Sequence, residues 1–241
     1  MTLPLPRLQA AGREALALAR HTALMPLDLL RPVVPAGARE GDDVVVLLHG
    51  VFATAGVMRP LRRRLERHAR VHTAALTYPV GPGVEALGRR LSGLVEALPD
   101  NCPLHLVGHS LGGVVARHWA IAHGAGRVVQ TISLAAPFGG LRRLHRLPLR
   151  LSRDLAPHSP LLAALKLAGH RRLAIPHLCI LAEADQVVGP PERHRLPGAE
   201  LLRLSGCGHN ALLYDERVAA EIERRVLAHR AATGHHAPRC R

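Results

Sequence analysis

The sequence contains almost no lysine and few aromatic residues. Lys166 is its single lysine, the other 31 of its 32 cationic residues are arginines, and aromatic residues make up 2%. The formal net charge of +14 raises nucleic-acid binding as a function. Single strands, however, are bound on aromatic stacking platforms, and no stretch has the pattern of a helix-turn-helix or a zinc finger. We predict no nucleic-acid partner, and a basic face suits anionic lipid or acidic substrates better.

Paired cysteines and long apolar runs are also missing. The four cysteines lie on different predicted elements without a C-x-x-C pair, which indicates neither a disulfide framework nor a zinc site. No run of 18 apolar residues occurs, and charged residues between Arg7 and Arg20 interrupt the N-terminal apolar stretch. We therefore predict a soluble cytoplasmic protein. Residues 13–30 are predicted to form an amphipathic helix that packs on the domain or lies on a membrane.

From residue 44 onward, short apolar runs alternate with helical stretches, which is the pattern of βαβ units. The apolar runs are nearly continuous, as expected for strands covered on both faces. The sequence therefore predicts an α/β fold, a mostly parallel sheet flanked by helices. Strands are predicted at 44–48, 71–77, 104–107, 128–134, 177–182 and 201–204, and helices at 59–69, 83–98, 111–123 and 211–230.

The chain length of 241 residues suits one α/β domain. We predict an N-terminal helical extension at 1–40, a domain at 41–230 and a disordered tail at 231–241. A short cap insertion is predicted at about 138–176, where no strand occurs and leucine and arginine are frequent. Between residues 142 and 172 it carries a net charge of +7. Either the cap meets an anionic membrane, or its leucines cover an apolar pocket while its arginines form a solvated rim.

The strongest motif is the run from Gly108 to Gly112, which reads G-H-S-L-G between a predicted strand and a predicted helix. A serine on such a tight turn has a strained backbone, and the residues two positions away must be small so that strand and helix can approach. The turn also directs the N–H of Leu111 toward a developing oxyanion. Ser110 is therefore the predicted nucleophile.

A second motif, His49-Gly50-Val51, ends the first predicted strand. Acyl transfer needs two backbone donors for the oxyanion, and the loop after an early strand commonly supplies one of them. We predict that the N–H of Val51 is this donor, with Phe52 beside it. A simple strand-ending turn is the alternative interpretation.

Together these motifs resemble the α/β-hydrolase superfamily, in its lipase and esterase branch. The resemblance covers about 44–230 and includes two further runs, Leu134 to Gly140 and Gly206 to His209. The loop at His49 is not the Gly-rich HGGG form. No calcium site can be recognised, and the predictions include no metal and no cofactor.

The resemblance implies the chain order nucleophile, acid, histidine. His209 fits the histidine because it follows a predicted strand through a flexible loop and precedes a helix; a histidine that merely caps this helix is the alternative. For the acid, Asp185 and Glu183 both follow the strand at 177–182. Asp185 occupies the usual place in the family and is favoured over Glu183.

The predicted protein is a serine hydrolase that cleaves carboxylic esters, of lipid or acyl type, through an acyl-enzyme on Ser110. Phe52, His109 and Phe138 are predicted substrate contacts. An acyltransferase or a thioesterase would use the same triad, and a catalytically inactive binding protein would keep the fold alone. Weak peripheral contact with an anionic membrane is a further prediction, based on the cap.

Overall fold

The computed structural model describes residues 5–124, 126–141, 148–170 and 175–233, and a six-stranded parallel sheet runs through this part of the chain. Its spatial order is β2-β1-β3-β4-β5-β6, and every neighbouring pair is parallel. The predicted parallel α/β sheet is confirmed. The strands are β1 (Asp43–Leu48), β2 (Val71–Leu76), β3 (Leu104–His109), β4 (Val128–Leu134), β5 (His177–Ala182) and β6 (Glu200–Leu204).

The central strands are buried on both faces. Every residue of β1 is buried, and its side chains alternate between two apolar clusters, with Val44 and Val46 in one and Val45 and Leu47 in the other. This alternation follows from the two-residue period of a strand. A run that is apolar at successive positions therefore forms a strand between two helical layers.

Helices cover the two faces. The helices described are α1 (Leu5–Leu24), α2 (Arg59–Leu65), α3 (Val84–Glu96), α4 (Leu111–His123), α5 (Arg150–Asp154), α6 (Pro160–His170) and α7 (Glu216–Ala232). The buried residues of α3 to α6 pack in one apolar cluster, and those of α2 and α7 pack in the other. Within the described ranges, no helix has both the length and the apolar character needed to cross a membrane.

Helix α7 begins later than predicted because Asp215 caps it. The Asp215 side chain accepts a hydrogen bond from the N–H of Arg217, and the preceding residues, Ala211–Tyr214, form a 3₁₀ turn instead of the first helical turn. Helix α1 is also shifted, to Leu5–Leu24 from the predicted 13–30. Residues 234–241 of the predicted tail lie outside the described residues, and residues 231 and 232 belong to α7.

The described part of the predicted cap contains α5 and α6. Leu151, Leu155 and Leu162 point inward and are buried in the same apolar cluster as α3 and α4, whereas Leu167 is exposed. Arg150 and Arg153 are exposed. Residues 142–147 and 171–174, which carry the other five arginines of the cap, lie outside the described residues.

Candidate active site

Ser110 stands between β3 and α4 in a strained conformation. Its φ of 51° and ψ of −118° lie on the positive-φ side, where a residue with a side chain is costly to hold. Two hydrogen bonds hold it there. Its N–H donates to the carbonyl of Leu134 over 2.7 Å, and its own carbonyl accepts from the N–H of Gly113 over 3.0 Å.

The two glycines of the motif are required sterically. A Cβ atom at Gly108 would lie 2.2 Å from the backbone of Gly112, and one at Gly112 would lie 2.3 Å from the carbonyl oxygen of Leu48. Real Cβ contacts are longer than this. The G-x-S-x-G spacing therefore allows α4 to pack directly against β3 and β1.

A buried histidine–aspartate pair forms where β5 and β6 end. The Nδ1 of His209 donates to Oδ2 of Asp185 over 2.7 Å, and the other Asp185 oxygen accepts from the N–H groups of Val187 and Val188 at 2.8 and 2.9 Å. Burial by itself would raise the pKa of Asp185, but the hydrogen bond and charge of His209 outweigh it and the net pKa is lowered. Asp185 is thus a fixed carboxylate.

Glu183 does not reach this pair. Its side chain is exposed, and its N–H continues the strand pairing by donating to the carbonyl of Leu204. The chain turns only after Glu183, where Val188 is buried and draws Asp185 inward. The structure thus brings Asp185, and not Glu183, to His209.

Ser110 and His209 line one cavity of about 320 Å³ at the carboxyl edge of the sheet. No hydrogen bond joins the Ser110 hydroxyl to His209 among the described residues. Catalytic hydrogen bonds are often long or misaligned before substrate binds. The lining residues are His21, Gly50, Val51, Phe52, His109, Ser110, Leu141, Gln186, Val187, His209 and Asn210.

The loop after β1 is fixed by a neutral histidine. Burial lowers the pKa of His49 to about 4. The N–H of Tyr78 donates to His49 Nε2 over 3.1 Å, so Nδ1 carries the proton and donates to the carbonyl of Gly50 over 2.7 Å. In the part of the chain that is described, the N–H groups of Val51 and Leu111 have no protein acceptor. Both are therefore available to a ligand.

Of the three predicted substrate contacts, two lie at the cavity. Phe52 has a positive φ of 58° and is 64% exposed. His109 is buried, and burial together with the nearby His209 lowers its pKa to about 3. Its Nε2–H donates to the carbonyl of His209 over 3.1 Å. Phe138 is placed elsewhere: it is fully buried, packs edge-on against His177 at 5.4 Å and does not line the cavity.

His21 of α1 also lines the cavity, although no motif of the sequence marks it as a site residue. Burial, followed by the proximity of His209, lowers its pKa. The Tyr214 hydroxyl lies 3.3 Å from His21 Nδ1. A histidine at the end of an amphipathic helix is a weak signal by itself, because no local pattern shows where such a helix docks.

One group of described side chains has metal-ligand chemistry, at the opposite edge of the sheet. The ligand atoms of Asp43, His105 and His229 lie within 4.8 Å of one another. Both histidines are already hydrogen-bonded to Asp43 Oδ1 over 2.8 Å, and Arg230 donates to Oδ2 over 2.9 Å. A cation would have to displace these protons and compete with the guanidinium.

No protein-family model matches the sequence, and no curated protein matches it either. Solved structures do resemble it. Lipase B of Aspergillus fumigatus aligns with a TM-score of 0.63 at 16% identity, over 81% of this chain and 56% of that chain. Lipase BlEst2 of Bacillus licheniformis aligns with 0.62 at 13%, over 82% and 97%. An esterase of Thermogutta terrifontis aligns with 0.57 at 17%, over 79% and 91%.

The chain thus spans little more than half the length of the Aspergillus lipase and nearly all of the two bacterial enzymes. At these identities the likeness establishes the fold. The predicted resemblance to lipases and esterases is confirmed for the fold.

Proposed function

We propose, from the α/β-hydrolase fold that this chain shares with lipases and esterases, that it is a serine hydrolase acting on carboxylic esters. The observation that carries the proposal is a strained Ser110 in the same cavity as His209, whose other ring nitrogen is held by Asp185. Strain of this kind is retained where a function needs it. The nucleophile, base and orienting acid of acyl transfer are all represented.

In the proposed reaction His209 is the general base. Because Nδ1 donates to Asp185, Nε2 is free to take the proton of Ser110 as its Oγ attacks the ester carbonyl. The C–O bond to the alcohol then breaks, and His209 returns the proton to the leaving alcohol. Water attacks the acyl-enzyme by the same route, which releases the acid and restores the Ser110 hydroxyl.

The oxyanion is assigned to two backbone donors. The N–H of Leu111 is at the start of α4, where the unsatisfied amides of the helix favour a negative charge. The N–H of Val51 follows the Gly50 carbonyl, which His49 holds. Because the peptide group is planar and trans, the hydrogen bond to the Gly50 carbonyl also fixes the direction of the Val51 N–H. Preorganised donors of this kind stabilise the charge that develops in the transition state.

The proposed substrate is a small-molecule or lipid ester. Apolar side chains, namely Val51, Leu141 and Val187, form much of the cavity wall, and Phe52 is exposed at the same cavity. A wall of this type accepts an acyl chain and leaves the ester at Ser110. The structural neighbours named as lipases and esterases agree with this substrate class.

A panel of p-nitrophenyl esters from acetate to palmitate, with and without detergent, tests the proposal. We expect hydrolysis with a preference for one chain length. Acyl-CoA thioesters and an added alcohol acceptor extend the panel, since a thioesterase or an acyltransferase would use the same triad. Faster turnover of thioesters, or acyl transfer in preference to hydrolysis, would replace ester hydrolysis by one of these reactions.

A fluorophosphonate probe tests the nucleophile directly. We expect one covalent label on Ser110, identified by peptide mass spectrometry, and none on a Ser110→Ala variant. A catalytically inactive binding protein would remain unlabelled while still folding as described.

Weak peripheral membrane contact belongs to the same proposal. Arg150 and Arg153 of the cap are exposed, and Leu167 is 53% exposed. Each basic residue near an anionic bilayer contributes about 1 kcal/mol at best, and salt reduces this. We expect sedimentation with phosphatidylglycerol vesicles at low salt and little with phosphatidylcholine vesicles. Absence from both would reduce the cap to a pocket cover, which the buried leucines of α5 and α6 favour.

A further inference from the structure

Helix α1 docks on the domain in an unusual way. From residue 9 onward, its buried positions are Ala10, Ala17 and His21, with the half-buried Glu14 on the same stripe. The spacing of three and four residues places them on one helical face. Leu16, by contrast, is 72% exposed. From Ala10 to His21 the helix thus contacts the domain mainly through small and polar side chains, while Leu24 at its end packs against the apolar cluster of α2 and α7.

The carboxylate of Glu14 reaches the loop between β6 and α7. Its Oε1 accepts from the backbone N–H and the side-chain Nδ2 of Asn210, both at 2.9 Å, and its Oε2 accepts from the N–H of Ala211 at 3.0 Å. These two N–H groups are at the start of the 3₁₀ turn Ala211–Tyr214, which has no side-chain cap of its own. Glu14 supplies the missing acceptor from 196 residues away.

Gly208, which precedes His209, leaves room for the Glu14 carboxylate. A Cβ atom at Gly208 would lie 2.4 Å from Oε2 of Glu14, so a side chain there would collide with it. Glu14 therefore contacts both neighbours of His209, by packing at Gly208 and by hydrogen bonds at Asn210. The carbonyl of His209 is held independently by His109.

We propose that Glu14 is a positioning residue: its carboxylate fixes the loop from Gly208 to Ala211 so that the His209 imidazole stays on Asp185 and faces the Ser110 cavity. This inference rests on the proposed function. It makes α1 an element of the active site, because the same helix also places His21 in the cavity wall.

The alternative is that Glu14 only fastens α1 to the domain. The two roles differ in what they change. A fastening contact alters the free energy of unfolding and leaves the reactivity of Ser110 unchanged. A positioning contact lowers that reactivity, because an error of about 1 Å in the placement of a catalytic group can cost about 100-fold.

The test compares Glu14→Ala and Glu14→Gln with a matched control, Glu85→Ala. Glu85 is an exposed carboxylate of α3 whose only ion-pair partner among the described residues is Arg89, over 3.0 Å. We expect kcat and the second-order rate of fluorophosphonate labelling to fall about 10- to 100-fold in Glu14→Ala, with KM changed less than about twofold. Glu14→Gln should recover part of the loss, since its amide oxygen still accepts from Asn210 while its amide nitrogen opposes the N–H of Ala211. Glu85→Ala should match the wild type.

A second comparison excludes a general loss of structure. In a His209→Ala background, adding Glu14→Ala should cause no further loss of labelling rate, because the group that it positions is gone. The inference is overturned if wild-type Ser110 is labelled and folded Glu14→Ala is labelled equally fast. It is also overturned if Glu14→Ala costs the same factor with and without His209. A wild-type protein that takes up no label overturns the proposed function instead.

Discussion

Two buried histidine–aspartate pairs lie at opposite edges of the sheet. At the carboxyl edge His209 donates to Asp185 over 2.7 Å, and at the amino edge His105 donates to Asp43 over 2.8 Å. The distances and the burial are nearly equal. A histidine–aspartate hydrogen bond therefore does not by itself identify an active site.

The two pairs differ in whether their other nitrogen and oxygen atoms have hydrogen-bond partners. At the amino edge the other nitrogen of His105 accepts from Gln130 over 2.8 Å, and Asp43 also binds His229 and Arg230. Every polar atom of that histidine and that carboxylate has a partner. At the carboxyl edge, the structure leaves the second nitrogen of His209 without a partner among the described residues, next to a cavity and a strained serine.

The proposed active site thus differs from the network at Asp43 in having, within the described part of the chain, a ring nitrogen without a hydrogen-bond partner beside a cavity. Satisfied buried polar groups rigidify a fold. A nucleophile and its base need polar atoms that are not already hydrogen-bonded, and a cavity where substrate can bind.

The largest effect is expected for Ser110→Ala, with Ser205→Ala in an exposed loop as its control. Turnover of the best p-nitrophenyl ester should fall by about 10⁴-fold or more, because the nucleophile is lost, while circular dichroism and the thermal midpoint stay unchanged. Retained activity in the purified variant would place the nucleophile elsewhere.

The two aspartates should respond in opposite ways. Asp185→Asn should lower kcat by about 10³-fold, because His209 loses the carboxylate that orients it. Asp43→Asn should leave kcat unchanged and lower the free energy of unfolding by about 3 kcal/mol, because Arg230 loses its buried partner. Enzyme assays and urea unfolding of both variants check this.

Glu183→Gln is the control for Asp185→Asn, since Glu183 is exposed and should be near wild type. If Glu183→Gln lost most of its kcat while Asp185→Asn stayed active, the acid would be Glu183 and not Asp185. Loss of activity in a folded Asp43→Asn would show that the amino edge takes part in the reaction.

Acid should destabilise the fold through its neutral buried histidines. Burial lowers the pKa of His49 to about 4 and that of His109 and His177 to about 3, from the ordinary value of 6.5. Below pH 6.5 the unfolded chain therefore binds more protons than the folded one, and stability falls as pH falls toward the folded-state values. Each histidine should cost about 1.4 kcal/mol at pH 5.5. Urea unfolding at pH 7.5, 6.5 and 5.5 measures this; a flat profile contradicts it.

The smallest effects are expected for the two histidines that the terminal helices bring to the sheet edges. His21→Ala should raise KM severalfold with little change in stability, because His21 lines the cavity and its contact with Tyr214 is long, at 3.3 Å. His229→Ala should leave KM unchanged and cost about 1 kcal/mol of stability, because it loses one hydrogen bond to Asp43. If KM rose in His229→Ala and not in His21→Ala, α1 would not be part of the substrate site.

The sequence by itself determined the features that depend on neighbouring residues. The alternation of apolar runs and helical stretches predicted all six strands to within two residues at either end, because buried strands and amphipathic helices have different periods. The turn at Ser110 was predictable for a local reason, since a Cβ at Gly108 or Gly112 would enter the backbone of the next turn or strand. The start of α7 at Asp215 is also a local feature, because an aspartate commonly caps a helix, although the predicted helix begins at 211.

Only the tertiary structure decided the contacts between distant parts of the chain. Asp185 and Glu183 both follow β5 and only the family resemblance favours Asp185, whereas in the structure the hydrogen bond from the N–H of Val188 holds the Asp185 carboxylate beside His209. Phe138 is buried in the core and does not line the cavity, although the chain reaches it soon after β4 ends at the carboxyl edge. Glu14 and Asn210 are 196 residues apart, and no local pattern relates them. Local periodicity specifies which face of a helix is buried, but the partner of that face is chosen by packing across the whole fold.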